Sequence, residues 1–137
     1  GRNRRGGKMR ACLVLLLLAT PALAGEGAPL SPGEFEALTT GRTITYSSGG
    51  TYYGTEQYMP GRRVIWTFGD ICQEGRWQAE GEMICFTYDD SPAPSCWIFR
   101  RHDGGLAACD DDDPEGEPLV STYQSSAPMA CGPRVGV

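Results

Sequence analysis

Residues 83–108 read MICFTYDDSPAPSCWIFRRHDGGLAA, and this stretch decides the fold. In an extended chain successive side chains point to opposite faces, so Ile84, Phe86 and Tyr88 line one side while Cys85 and Thr87 line the other. Asp89 to Pro94 reads as a proline-bearing connection, and Cys96-Trp97-Ile98-Phe99-Arg100 as the next strand. Asp103-Gly104 is a two-residue hairpin signal, because both central positions of that turn require positive φ. The chain then returns through Leu106-Ala107-Ala108. If Tyr88 faces Ala93, Cys85 falls directly opposite Cys96 and the two are within disulfide reach.

The same reading extends upstream. Thr43-Ile44-Thr45-Tyr46, Thr51 to Tyr58 and Arg63-Val64-Ile65-Trp66-Thr67-Phe68 alternate as strands. They are separated by Ser47-Ser48-Gly49-Gly50 and by Pro60-Gly61, the pair expected at the centre of a type II turn. Gly69 to Gly75 reads as a loop containing Cys72, followed by a strand at Arg76-Trp77-Gln78-Ala79. Downstream, Leu119 to Tyr123 is the last strand. Near-regular strands joined by tight turns predict an all-β antiparallel meander of about seven or eight strands, closing into a small barrel or a curled sheet. Before it, Ser31, Pro32 and Glu34 form a capping box with Leu30 and Phe35 at the staple positions. They predict one short N-terminal helix ending near Leu38, with Phe35 and Leu38 packing on the sheet.

Domain organisation follows. Residues 1–24 read as a signal peptide: Arg10 supplies the basic region, Leu13 to Leu18 the apolar core and Ala22-Leu23-Ala24 the cleavage site. The apolar run is far short of the roughly 20 residues of a spanning helix. Cys12 lies within that core rather than just after the cleavage site, so it does not look like a lipid-attachment cysteine. Translation is expected to start at Met9, with residues 1–8 a mis-assigned start. Residues 25–42 are a lead-in and the helix, 43–123 the β domain, and 124–137 a tail, loose unless Cys131 ties it down. The chain is expected in the periplasm or secreted.

Removing the leader takes five basic residues and no acidic one. Seven basic against seventeen acidic residues remain, a net charge of −10 with no lysine. That disfavours nucleic acid and anionic membranes, which are bound through Lys and Arg, and disfavours membrane insertion of the mature chain. It suits a cationic protein as partner. Five cysteines stay: Cys72, Cys85, Cys96, Cys109 and Cys131. In an oxidising compartment they read as disulfides plus one leftover cysteine, with the connectivity open. Their spacing contains no C-x-x-C and His102 is the only histidine, so neither a metal site nor a cofactor is expected.

The run Cys72-x-x-Gly75-x-Trp77, then Ile84-Cys85-Phe86-x-Tyr88, then Cys96-Trp97, resembles small exported bacterial β-domain proteins of uncharacterised families. The resemblance implies an exported β domain and no particular activity. Ser48-Gly49-x-x-Tyr52 is also similar to the start of the inhibitory loop of periplasmic lysozyme inhibitors, which are small disulfide-bonded β-barrels. Where that family carries a Trp-Thr-Lys-Gly-like ending, this chain has Trp66-Thr67-Phe68-Gly69.

The chemical candidates are few. Asp110 to Asp113 with Glu115 and Glu117 lacks the alternating ligands and the glycine bend of a calcium loop, and reads as a solvated linker. His102 beside Asp103 has no nucleophile-elbow sequence to serve. Glu80 and Glu82 flank a turn and do not suggest a carboxylate-pair hydrolase. The best binding candidates are Tyr52, Tyr53 and Tyr58, with Tyr46, Arg62 and Arg63, since exposed Tyr and Arg favour recognition surfaces. The expected function is a non-catalytic, disulfide-stabilised binding domain, with a protein as partner. The alternatives are inhibition of a cationic exported enzyme such as lysozyme, and carriage of a small ligand inside the barrel.

Overall fold

A computed structural model describes residues 27–131. The expected leader, the Met9 start and the last residues of the tail lie outside the described residues. The helix α1 spans Pro32–Thr39. It precedes the barrel rather than beginning the chain. Ser31 caps it: the Glu34 amide donates to Ser31 Oγ at 3.1 Å, and the Ser31 amide donates to Glu34 Oε1 at 2.8 Å. That reciprocal pair satisfies two amides that the first turn would otherwise leave without partners.

Eight antiparallel strands follow: β1 Thr43–Ser48, β2 Thr51–Met59, β3 Arg63–Thr67, β4 Cys72–Glu80, β5 Met83–Tyr88, β6 Ser91–His102, β7 Gly105–Asp110 and β8 Leu119–Ser125. Each pairs with the next and β8 pairs with β1, so the sheet is a closed barrel rather than an open curled sheet. Turn chemistry sets the hairpins. Gly49 and Gly50 both take positive φ between β1 and β2, as do Asp103 and Gly104 between β6 and β7.

Three expectations are corrected. Cys72 opens β4 instead of sitting in a loop, because residues 72–76 pair with β3. The proline-bearing connection shrinks to Asp89-Asp90, and Pro92 and Pro94 lie in β6. They are tolerated because that end of β6 pairs with β5 alone, β7 reaching only as far as Trp97. Tyr88 faces Ser91 rather than Ala93, since the register shifts after Phe86; Cys85 nevertheless lies opposite Cys96 and is disulfide-bonded to it.

Antiparallel neighbours place alternate connections at opposite ends of the barrel. The turns after β2, β4 and β6 share one end with α1. The turns after β1, β3, β5 and β7 share the other. At the helix end the core is filled. Phe35 is fully buried, with its ring 4.5 Å from Phe99, 5.1 Å from Trp77 and 5.6 Å from Tyr58, centroid to centroid. Arg62 fastens the plug from outside: its guanidinium is 2.9 Å from Glu36 on α1 and lies 4.2 Å over the Trp77 ring. The lead-in adds a bond from the Leu30 amide to the Phe99 carbonyl at 2.8 Å.

The segment after β8 is tied down. Thr43 Oγ1 donates to the Ala127 carbonyl at 2.7 Å, the Met129 amide donates to Gln57 Oε1 at 3.0 Å, and Cys131 is disulfide-bonded to Cys72. Residues 126–131 therefore strap the outer face from β1 to β4. The expected leftover cysteine is not found, since none among the described residues is free. Each disulfide is worth about 2–4 kcal/mol to so small a domain. No helix among the described residues is long and apolar enough to cross a membrane.

Phe35→Ala removes the plug's anchor and leaves a hole between three rings. We expect a loss of about 3–5 kcal/mol in urea unfolding. A loss below about 1 kcal/mol would mean that the helix end repacks without it.

Candidate functional site

The described residues do not fill the end opposite α1. A cavity of about 260 Å³ opens there, lined by aromatic side chains from β2, β3, β5 and β6. Its inward residues follow from strand parity: Gly54, Glu56 and Tyr58 on β2, Trp66 on β3, Gln73 and Gly75 on β4, Phe86 and Tyr88 on β5. Two glycines give the large rings their room. A Cβ on Gly54 would run into the Trp66 indole, and one on Gly75 into Tyr88 and the Thr87 carbonyl. On one wall Trp66 stands edge-on to Phe68, centroids 5.2 Å apart, with Tyr53 5.9 Å from Trp66. Phe86 and Tyr88 lie with parallel rings, 6.4 Å apart.

Glu56 belongs to the cavity wall and is only 3 % exposed. Tyr88 donates its hydroxyl to Glu56 Oε2 at 2.6 Å. Among the described residues nothing donates to Oε1. Beside it the Tyr46 and Tyr58 hydroxyls bond each other at 2.9 Å. Burial costs a charged group its hydration, so the Glu56 carboxyl is pushed up to about 8, the Tyr88 bond opposing the shift. The phenols of Tyr46, Tyr58 and Tyr88 are likewise raised by burial and stay neutral. Among the described residues no arginine or histidine lines the cavity.

The sequence candidates divide. Tyr58 is buried in the core, its hydroxyl in the cavity wall. Tyr53 lines the cavity mouth, where the register shift between Tyr46 and Ser47 lets it stand on Trp66. Tyr52 is 49 % exposed on the outside, bonded to Thr55. Arg62 is engaged with Glu36 and Trp77, and Arg63 is exposed at the helix end. These five residues therefore do not form one surface. His102 is exposed at the β6–β7 hairpin, 3.3 Å from Asp103, and does not line the cavity. Glu80 and Glu82 are remote from it at the helix end. No group of His, Cys, Asp or Glu among the described residues could hold a metal ion.

Glu56 is the functional candidate that sequence reading passed over. Its signal was parity: Gly54-x-Glu56-x-Tyr58 puts a carboxyl in phase with a core tyrosine. Comparison of the chain with protein-family models, curated proteins and solved structures finds no match.

An unfolded glutamate titrates near 4.5, whereas Glu56 in the fold holds its proton up to about 8. Between those values the folded state binds the extra proton, so this group makes stability fall as pH rises from about 4.5 to about 8. Glu56→Gln removes the effect. At pH 9 the variant should be more stable than the wild type by on the order of a few kcal/mol, with little difference at pH 4.5. Urea unfolding across that range checks it, and parallel profiles for the two proteins would show that Glu56 is ionised when buried.

Proposed function

We propose that this chain is an exported, disulfide-stabilised β-barrel that binds a small ligand in its open end. The observation that supports the reading is the cavity itself. An eight-stranded barrel is just wide enough for its own side chains to fill or for one small ligand to enter. Here the helix half is filled and the other half is left open. Its wall is mostly aromatic with a few convergent polar groups, the composition of a ligand pocket. Its size suits a compact molecule rather than a long acyl chain. The disulfides Cys72–Cys131 and Cys85–Cys96 fit an oxidising compartment, in keeping with the leader-like sequence of residues 1–24. The proposed role is binding and transport or sequestration, with no chemistry asked of His102 or the carboxylates.

A second reading is docking of a cationic exported protein such as lysozyme on the same end. Tyr52, exposed beside the β1–β2 tip, and the −10 charge favour it. Undiminished lysozyme activity under excess mature protein would remove it.

For the first reading, the neutral dye N-phenyl-1-naphthylamine should bind saturably, one per chain, and quench the fluorescence of Trp66 and Trp97 in the cavity wall. Ala93→Trp, at the exposed mouth, should weaken that binding at least about tenfold with the fold intact by circular dichroism. Absence of saturable dye binding to the wild type would end the small-ligand reading.

A further inference from the structure

The arginines of this barrel are segregated along its axis, whereas acids occur at both ends and stand without arginines only at the open one. All six arginines among the described residues lie in the helix-side half: Arg42, Arg62 and Arg63 by α1 and the β2–β3 turn, Arg76 paired with Arg63, and Arg100 and Arg101 at the far end of β6. The connections at the open end carry only acids: Asp70, Asp89, Asp90 and the run from Asp110 to Glu117. That run stands near the cavity, since Asp110 acts electrostatically on Tyr53 at the mouth. A ligand approaching the mouth therefore meets a negative rim, then a sleeve of aromatic rings, then a buried carboxyl at the floor.

Each layer selects the same charge. Ring faces carry negative potential and attract cations, more strongly when water is excluded. A rim of one sign raises the local concentration of the opposite ion. Glu56 offers Oε1, which accepts nothing from the described residues, and none of those residues places a competing cation beside it. The groups facing it are Tyr88 from β5, Tyr46 from β1 and Tyr58 from its own strand, all neutral phenols. A neutral apolar ligand would make no use of a carboxyl there, and an anionic one would be repelled by the rim and the ring faces. We propose that the ligand of this cavity is a compact organic cation, an amine or quaternary ammonium group whose charge lies between the aromatic walls and pairs with Glu56.

The inference rests on the small-ligand reading and adds the charge of the ligand. Binding moves one proton. Glu56 is protonated below about 8, so a cation that pairs with it displaces the carboxyl proton to solvent. For a quaternary ammonium ion, whose own charge does not titrate, affinity must then rise about tenfold per pH unit between pH 6 and 7.5 and level off above pH 8. Affinity must also fall with added salt, because the rim is exposed.

The test uses the mature chain loaded with N-phenyl-1-naphthylamine, displaced by choline and benzyltrimethylammonium and by their uncharged carbon isosteres, 3,3-dimethylbutan-1-ol and neopentylbenzene. Support is a preference of at least about tenfold for a cation over its isostere at pH 8, growing from pH 6 to 8. That preference should be lost in Glu56→Gln while the variant still binds the dye. Equal displacement by cation and isostere, or displacement by neither, overturns the inference and leaves the small-ligand reading standing. A cation preference that survives Glu56→Gln or is flat with pH also overturns it, since the charge would then be read at the rim alone. Failure of the dye to bind removes both readings.

Discussion

Closure of β8 onto β1 is the constraint on which the rest depends. An open meander of this length would expose two edges and bury one face against whatever it met. Closing it abolishes the edges and turns one face of every strand into a common interior. The seam is thin on the other side of β8, where only Ala107 and Ala108 pair with Val120 and Leu119, helped by a bond from the Leu106 amide to Ser121 Oγ. The strap from Ala127 to Cys131 and the plug helix therefore matter, because both tie the start of the barrel to parts far along the chain.

Once an interior exists, filling becomes a matter of side-chain volume at each level. At the helix end Phe35 enters from outside the sheet and meets Tyr58, Trp77 and Phe99, so no space is left. At the other end no helix of the described residues enters, and glycines at 54 and 75 let Trp66 and Tyr88 lie back against the wall. Space is opened by the same residues that line it. Glu56 sits where the two regimes meet. A buried carboxyl with a single hydrogen bond costs stability unless something compensates. Disulfides such as Cys72–Cys131 and Cys85–Cys96 supply stability against which such a cost can be set.

The distribution of charge follows from connectivity. In an up-and-down barrel every second turn returns to the same end, so acids placed in alternate connections gather into one ring although they are scattered through the sequence. Asp70, Asp89 and the Asp110–Glu117 run are about twenty residues apart along the chain and share one end of the barrel because an outgoing and a returning strand lie between each and the next.

Local chemistry alone determined a good deal of this protein. The capping box of Ser31 and Glu34, the Asp103-Gly104 turn and the alternation through Ile84, Phe86 and Tyr88 act over a few residues, and each was legible without the fold. That Tyr52 and Tyr53 face opposite ways was legible too, but the register shift opposite Tyr46 and Ser47 decided that Tyr53 is the one at the cavity mouth. What sequence could not fix was decided at long range. The pairing of Cys72 with Cys131 spans 59 residues. The prolines of β6 were read as a connection because only the missing partner strand makes them tolerable. Glu56 looked like any surface carboxylate on a polar strand, since whether its side faces solvent or a closed interior depends on seven other strands. Parity tells which residues share a face; only closure of the sheet says which face is inside.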